Sequence, residues 1–350
     1  MVDQEQEAVS EGVAARVRPD RSEAPVFVVG CARSGTTLLY HMLLSAGGFA
    51  YYRAETHVYN MLVPRFGRLR SAAARKKLMD LWLKSIFYRR SGLDADEIRA
   101  RVVNECRSGG DFLRAVMGGI ADRQGVGRWS DCTPAHLLHM REIKEEIPNA
   151  LFLHIIRDGR DVALSLERAG WLSNFPWDKR RRVHVAGLHW EWAVTRGRRE
   201  ARALASDYME VSFEELVSDP RGTLSGIGSF VDHDLNYDHI LENAVGSLKR
   251  PNTSFGTEAR DGAFNPIGRW KKGLTEDDLA TFEALVGRTL KGLGYELSSG
   301  AAGTSKTLNP RLVRAAYRSY FSAKRWAKVK TPLGRFLTDV EMLREQGSSP

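Results

Sequence analysis

The residues best suited to bind an anion form a glycine-bracketed loop near the N-terminus, Gly30-Cys-Ala-Arg-Ser-Gly-Thr-Thr37. Its two glycines have the spacing of the phosphate-binding loop of nucleotide-binding proteins, but Thr36 stands where that loop has a lysine. Backbone N–H groups of such a loop, and of the helix after it, can hold a phosphate. The absent lysine normally reaches the β- and γ-phosphates, so the loop predicts a nucleotide that has no γ-phosphate.

A second group of chemistry-bearing residues follows an apolar run, Leu151–Ile156, that has the length of a buried strand. Arg157-Asp-Gly-Arg160 comes directly after this run, and Ser165 lies two turns into the predicted helix. Ligands of open α/β sheets bind beyond the carboxyl ends of the strands, so Arg157 is a candidate anion ligand and Ser165 can face the same side. Arg157 could instead pair with Asp158 or Asp161, and Ser165 could be a small packing residue.

These motifs, together with Glu55 and the run Gly268-Arg-Trp-Lys271, resemble those of the sulfotransferase family, which uses 3′-phosphoadenosine 5′-phosphosulfate (PAPS) as sulfuryl donor. The similarity runs from about residue 25 to residue 297. It is closer to the bacterial and tyrosylprotein-sulfotransferase-like branch, which has Arg-Ser-Gly-Thr-Thr in the loop, than to the cytosolic branch, which has Lys-Ser-Gly-Thr-Thr.

The resemblance implies an enzyme that moves the sulfuryl group of PAPS to a hydroxyl of a small metabolite, glycan or lipid. The reaction would be an in-line displacement that releases adenosine 3′,5′-bisphosphate, with positioning and positive charge supplying most of the rate. The alternative interpretation is a P-loop nucleotide or metabolite kinase. That alternative needs a lysine after Gly35, and Thr36 speaks against it.

The resemblance also implies roles for individual residues. Glu55 would be the general base, because the tyrosylprotein-type branch places its catalytic glutamate in a matching Glu-Thr context, and His57 could serve instead. Arg33 would stabilise the transferring sulfuryl group. The implied nucleotide-binding residues are Arg33, Ser34, Gly35, Thr36 and Thr37 at the 5′ end, Arg157 and Ser165 at the 3′-phosphate, and Arg269.

Two positions depart from the pattern of those relatives. Cys132, in Asp131-Cys-Thr-Pro134, takes the place of a lysine, and a thiol cannot stabilise the leaving phosphate as an ammonium does. Phe213 stands where relatives often have a tyrosine, so one hydrogen bond to the nucleotide is lost. Either Arg33 supplies most of the missing stabilisation or a basic group from residues 249–272 reaches in. No His, Asp and Glu cluster has metal-ligand spacing, so no metal is expected.

Alternating strands and helices must position all of these residues. Strands are predicted at residues 26–29, 128–131, 151–156 and 208–211. Helices are predicted at residues 69–90 and 94–124 among others, with Gly/Ser breaks at Ser91-Gly92 and Ser108-Gly-Gly110. The predicted fold class is α/β, a P-loop-type three-layer domain with a central, mostly parallel sheet flanked by helices. Residues 249–268, rich in Gly, Asn, Pro and Ser, are predicted to form a long loop.

This domain is predicted to span residues 25–298, between a disordered tail (1–24) and a basic extension (299–350). Of the net charge of +9, most lies near the C-terminus, where residues 306–350 hold ten Lys or Arg and three Asp or Glu. Because the excess charge is confined to that extension, nucleic acid is not an expected partner. Residues 311–328 predict a cationic amphipathic helix. It could pack on the domain or on a second subunit of a homodimer, or it could dock on an anionic membrane or a lipid-linked acceptor.

The three cysteines, Cys31, Cys106 and Cys132, are an odd number without disulfide-framework or metal spacing. Reduced thiols are therefore expected. The N-terminus is acidic and polar rather than signal-like, and the apolar runs are too short to span a bilayer. These features predict a cytoplasmic protein.

Overall fold

The computed structural model describes residues 20–67, 69–250, 265–298 and 309–340. Within these residues the chain forms a parallel sheet of four strands, β1 (Val26–Gly30), β2 (Ser130–Asp131), β3 (Leu151–Ile156) and β4 (Tyr208–Ser212), in the order β2-β1-β3-β4. All four lie where the sequence predicts strands. The described helices are α1 (Thr36–Ser45), α2 (Val63–Phe66), α3 (Ala72–Trp82), α4 (Ile86–Ser91), α5 (Ala95–Glu105), α6 (Gly109–Leu113), α7 (Gly119–Gln124), α8 (Met140–Glu146), α9 (Gly159–Ala169), α10 (Arg182–Ala201), α11 (Phe213–Ser218), α12 (Pro220–Val231), α13 (Tyr237–Glu242), α14 (Trp270–Gly273), α15 (Glu276–Gly292), α16 (Pro310–Lys330) and α17 (Gly334–Leu337).

The sheet separates two apolar cores, which gives the predicted three layers. Alternate residues of β1 and β3 face opposite ways. Val28 and Leu153 pack in the core that contains residues of α1 and α12. Phe27 and Phe152 pack in the other core, together with Trp190 of α10, and their rings are stacked 5.4 Å apart. Because both faces are covered, the two central strands are fully buried and, except for His154, apolar.

The strand register brings the carboxyl ends of β1, β3 and β4 to one edge of the sheet. Gly30 pairs with Ile155, and Ile156 pairs with Ser212. The loop after β1 and the Arg157 turn after β3 therefore start side by side, as the parallel arrangement requires.

The predicted long helices are shorter in the structure. The segment 69–90 divides into α3 and α4, because the Ser85 hydroxyl accepts the Tyr88 N–H and so begins a new helix. The segment 94–124 divides into α5, α6 and α7, since Cys106 is extended (ψ 142°) and Ser108 caps the next helix. The second break lies at the predicted Ser108-Gly-Gly110 break, whereas the first lies inside the predicted helix 69–90, where apolar periodicity alone gives no sign of it.

The C-terminal extension packs on the domain through the apolar side of α16. Val313, Tyr317 and Phe321 are buried, and Arg314 forms an ion pair with Glu191 of α10 at 2.7 Å. Of the interpretations that the sequence left open for this helix, the structure supports packing of α16 on the domain. Among the helices described here, none combines the length and apolar character needed to cross a bilayer.

Several predictions for loops and termini concern residues outside the described ranges. These are residues 1–19 of the predicted tail, residues 251–264 of the predicted loop, residues 299–308 of the extension, and the last residues, 341–350. Residues 20–24 are described, and Arg21 donates a hydrogen bond to the Phe230 carbonyl at 2.9 Å.

Candidate active site

The loop between β1 and α1 has the backbone of an anion-binding turn. Arg33 and Gly35 both adopt positive φ, +73° and +99°. At Gly35 a Cβ would also lie 2.3 Å from the Phe213 ring, so glycine is required for conformation and for space. Ser34 is buried, and its hydroxyl has no hydrogen-bond partner among the described residues. Helix α1 begins without a side-chain cap among the described residues, so its first-turn amides are available to bind an anion.

Arg157 extends from the end of β3 toward this loop. Its guanidinium lies 4.4 Å from the centre of the Phe213 ring and donates hydrogen bonds to the carbonyls of Arg33, at 3.3 Å, and Pro266. The ion pair with Asp161 that the sequence left open is long, at 3.8 Å, and Arg157 Nε is buried without a partner among the described residues. Buried donors of this kind suit an anionic ligand better than a structural ion pair.

Ser165 faces the same loop from α9. Its hydroxyl accepts a hydrogen bond from Arg33 Nε at 2.9 Å. The structure therefore brings Arg33 together with Arg157 and Ser165, which follow it by more than a hundred positions in the sequence. Thr36 and Thr37 begin the adjoining helix α1.

Arg269 approaches the same place because Asp161 anchors the turn that contains it. The Asp161 carboxylate accepts the backbone N–H groups of Gly268, at 2.8 Å, and Trp270, at 2.9 Å. Burial lowers the pKa of Arg157, although nearby carboxylates oppose that shift, and the positive charge of Arg269 lowers it further. Two arginines whose charges repel each other at one edge of the sheet favour an anion between them.

Arg160, the second arginine of the motif after β3, has a structural role. It lies between Asp158 and Glu283, each 2.8 Å away, and its guanidinium stacks 3.8 Å from the Trp270 ring. This buried group holds α9 against α14 and α15. Arg160 is therefore not directed at the site.

Glu55 lies beside His57, with Glu55 Oε2 at 3.3 Å from His57 Nε2. Burial, and then the negative charge of Asp131, raise the pKa of Glu55 to about 7. The side chain still keeps 45% of its surface accessible, so the carboxyl is open to an incoming molecule. His57 is buried, and burial lowers its pKa to about 4. At neutral pH the histidine is uncharged and Glu55 is close to half ionised.

A buried hydrogen-bond network fixes this segment, and the sequence did not reveal it. Asp131 accepts hydrogen bonds from Thr56 (2.6 Å), Thr133 (3.1 Å) and His136 Nδ1 (2.8 Å). Thr133 in turn accepts the Thr56 N–H at 3.0 Å, and His136 Nε2 accepts the Tyr59 N–H at 3.3 Å. The sequence signal that could have indicated this network is the closeness of Asp131, Thr133 and His136 at the end of β2.

This arrangement of hydrogen bonds holds the His136 ring through both of its nitrogen atoms. Because Nε2 accepts the Tyr59 N–H, the ring proton is on Nδ1 and is donated to Asp131. Burial opposes ionisation of Asp131, but the adjacent His136 and the hydrogen bonds together hold the pKa of Asp131 below its usual value. Asp131 is therefore a buried negative charge close to Glu55.

Cys132 occupies the position that is a lysine in tyrosylprotein-type relatives. The residue is buried, and burial, followed by the negative charges of Glu55 and Asp131, keeps the thiol pKa well above its ordinary value. A hydrogen bond between the thiol and Thr36 acts in the opposite direction. The position is thus neutral, and it lies between the loop and Glu55.

Comparisons with known proteins agree with this geometry. A sequence model of the sulfotransferase family matches residues 25–237. Protein-tyrosine sulfotransferase A of Caenorhabditis elegans is 26% identical over 284 residues, which cover 79% of this chain and 68% of that protein. The structure described as a sulfotransferase domain from the curacin biosynthetic pathway superposes with a TM-score of 0.50 at 16% identity, covering 79% of this chain and 99% of that domain.

The family match covers more than half of the chain and contains the loop, Glu55, Arg157 and Ser165, while Arg269 lies beyond it. The structural likeness, at its low identity, supports the P-loop-like α/β fold alone. From the sequence match and the fold together, the chain belongs to the sulfotransferase family.

Proposed function

We propose that this sulfotransferase takes its sulfuryl group from PAPS and transfers it to a hydroxyl acceptor, with Glu55 as general base. The observation that supports this most directly is the convergence of Arg33, Arg157 and Ser165 at the carboxyl edge of the sheet. PAPS has two anionic ends, the 5′-phosphosulfate and the 3′-phosphate. A phosphate-type loop and a separate arginine-serine pair at one edge of the sheet match that distribution of charge.

The buried polar atoms fit such a donor. The unpartnered Ser34 hydroxyl and the first-turn amides of α1 suit the 5′-phosphate, together with the Thr36 and Thr37 side chains. The unpartnered Arg157 Nε and the Ser165 hydroxyl suit the 3′-phosphate, with Arg269 adjoining. The Arg33 guanidinium, which now donates to Ser165, would turn to the sulfuryl group when the donor is bound.

The transfer then requires one bond to form and one to break at sulfur. The acceptor oxygen attacks the sulfur while the bond from sulfur to the bridging phosphate oxygen breaks. The acceptor proton passes to Glu55, and adenosine 3′,5′-bisphosphate leaves with the bonding electrons. Arg33 offers a fork of donors to the oxygens that gain negative charge, which is where preorganised positive charge accelerates a reaction most.

His57 supports Glu55 rather than replacing it in this mechanism. With its pKa lowered to about 4, the imidazole is neutral and too weak a base to compete with a carboxylate whose pKa is about 7. Its Nε2 atom, 3.3 Å from Glu55 Oε2, orients the carboxyl.

The acceptor is proposed to be a hydroxyl of a small metabolite, glycan or lipid, and the reaction is placed in the cytoplasm. The three cysteines are free and buried, in keeping with a reducing compartment. The similarity to a protein-tyrosine sulfotransferase adds a phenolic hydroxyl to the acceptors worth testing.

Ligand-induced thermal stabilisation tests the donor assignment. Adenosine 3′,5′-bisphosphate should raise the melting temperature strongly, adenosine 5′-monophosphate much less because it lacks the 3′-phosphate, and ATP least. A ligand at one hundred times its Kd stabilises the folded state by about 2.7 kcal/mol. Equal stabilisation by ATP and the bisphosphate would remove the PAPS assignment and return the kinase alternative. Incubation with PAPS and a panel of hydroxyl compounds, followed by mass spectrometry, would then identify the acceptor.

A further inference from the structure

The end of the C-terminal extension exposes large apolar side chains. Leu333, Phe336 and Leu337 are 53%, 82% and 54% exposed, and Trp326, near the end of α16, is 61% exposed. We call these four residues the apolar tip. A soluble protein commonly exposes single apolar side chains, but a group within one short segment marks an interaction surface.

The tip is held outward by a packed turn. Gly334, between the exposed residues, is buried so closely that a Cβ would lie 2.1 Å from the Lys328 carbonyl and 3.1 Å from the Pro64 carbonyl. The Leu337 N–H bonds to the Leu333 carbonyl at 2.9 Å, and Thr338 behind it is buried. The exposed side chains therefore belong to an ordered turn that rests on α2.

The apolar side of α16 does not explain the tip, because that side is already covered. Tyr317 is buried and its hydroxyl donates to Asp178 at 2.8 Å, while Phe175 stacks on its ring at 4.5 Å. Trp192 donates to Ser322 on the next turn at 3.1 Å. The helix is thus fastened along its length, and the tip is an additional surface at its end.

The surroundings of the tip are strongly basic. Residues 309–340 contain eight Lys or Arg and one Asp, and three of the basic residues within a few positions of the tip, Lys324, Lys330 and Arg335, are exposed. A second copy of the chain would bring the same positive charge, which disfavours a symmetric dimer through this surface. An anionic bilayer has the complementary charge and accepts apolar side chains at its interface.

We propose that the apolar tip docks on an anionic membrane surface, with Phe336 and Leu337 entering the interface and Lys330 and Arg335 contacting the lipid headgroups. The turn that carries the tip packs on α2, which follows the Glu55 segment closely in the chain. The proposal concerns binding alone and does not depend on the reaction proposed above.

Co-sedimentation with vesicles tests it. The protein should bind vesicles that contain phosphatidylserine, bind pure phosphatidylcholine vesicles at least tenfold more weakly, and dissociate as salt is raised. The double variant Phe336→Ser/Leu337→Ser should lose at least tenfold in partitioning, and Lys330→Glu several-fold, since each basic residue near the surface contributes roughly fivefold. The matched control is Leu241→Ser, which alters a comparably exposed leucine (47%) on α13 and should bind like the parent protein.

Two results would overturn the proposal. One is phosphatidylserine binding that is equal in the double variant and in Leu241→Ser, with unchanged melting temperatures showing that both are folded. The other is light scattering that finds a parent dimer which Phe336→Ser/Leu337→Ser converts to a monomer, because the tip would then be covered by a second copy.

Discussion

Replacing Glu55 by glutamine should stabilise the protein at high pH while removing its activity. The folded-state pKa of Glu55, about 7, lies above its ordinary value of 4.5. A carboxyl with a raised pKa holds its proton more tightly in the folded state. Its contribution to stability is therefore fully present below about 4.5 and is lost as the pH rises through 7. Above that range the ionised carboxylate opposes folding, and Glu55→Gln removes this cost.

The size of the effect follows from the pKa and the exposure. If the whole difference between the two pKa values contributed to the free energy of unfolding, it would correspond to about 3 kcal/mol. Because 45% of the Glu55 side chain is accessible, solvent screens much of this electrostatic energy. Glu55→Gln is therefore expected to raise the free energy of unfolding by roughly 1–2 kcal/mol above neutral pH. Near pH 4.5 the variant and the parent should be equally stable. Loss of the general base should lower the transfer rate by about 10²- to 10⁴-fold.

Denaturant unfolding near pH 4.5 and above neutral pH measures the difference in unfolding free energy between variant and parent. A ¹³C NMR titration of glutamate-labelled protein measures the Glu55 pKa directly, and the resonance that is missing from Glu55→Gln identifies the Glu55 signal. The matched control is Glu242→Gln, an exposed residue at the end of α13, which should leave activity and the Glu55 resonance unchanged. A Glu55 pKa near 4.5, with no stability gain in the variant above neutral pH, would refute the reasoning. An activity limb near pH 4 that survives in Glu55→Gln would transfer the base role to His57, whose pKa is about 4.

Three further substitutions test neighbouring parts of the site. Arg157→Ala should weaken adenosine 3′,5′-bisphosphate by roughly 10- to 150-fold in calorimetry, but adenosine 5′-phosphosulfate much less; equal losses would contradict the 3′-phosphate assignment. Asp131→Asn should cost about 1–3 kcal/mol in denaturant unfolding, because an amide cannot accept all three donors, and should lower the Glu55 pKa. Cys132→Lys should lower the Glu55 pKa in the NMR titration, whereas Cys132→Ser should not; an unchanged pKa in the lysine variant would exclude electrostatic coupling between positions 132 and 55.

The sheet could be predicted because its signals are local. Val26–Gly30 and Leu151–Ile156 are continuous apolar runs followed at once by polar motifs, and both become buried parallel strands. Helix bounds between residues 69 and 124 could not be predicted equally well. The break before Gly109 could be predicted from Ser108-Gly-Gly110, but the break before Ile86 depends on a single hydroxyl cap, Ser85, which the apolar pattern does not reveal.

Much of the site could also be predicted, since parallel strands bring their carboxyl ends to one edge. The proximity of Arg33, Arg157 and Ser165 follows from that rule and from the resemblance together. The direct hydrogen bond from Arg33 to Ser165 could not be predicted, because it depends on the side-chain conformation that a long arginine adopts across the site. The same holds for Arg160, whose partner Glu283 is more than a hundred residues away.

Burial, and then the negative charge of Asp131, raise the pKa of Glu55 to about 7, and the neutral thiol of Cys132 does not oppose that shift. An ammonium at position 132 would favour the ionised carboxylate and lower its pKa. A base with a pKa of about 7 is half ionised at neutral pH and accepts a proton more readily than an ordinary carboxylate. In the proposed mechanism, a neutral thiol at position 132 therefore goes with a stronger base at Glu55 and leaves Arg33 to stabilise the negative charge of the leaving group.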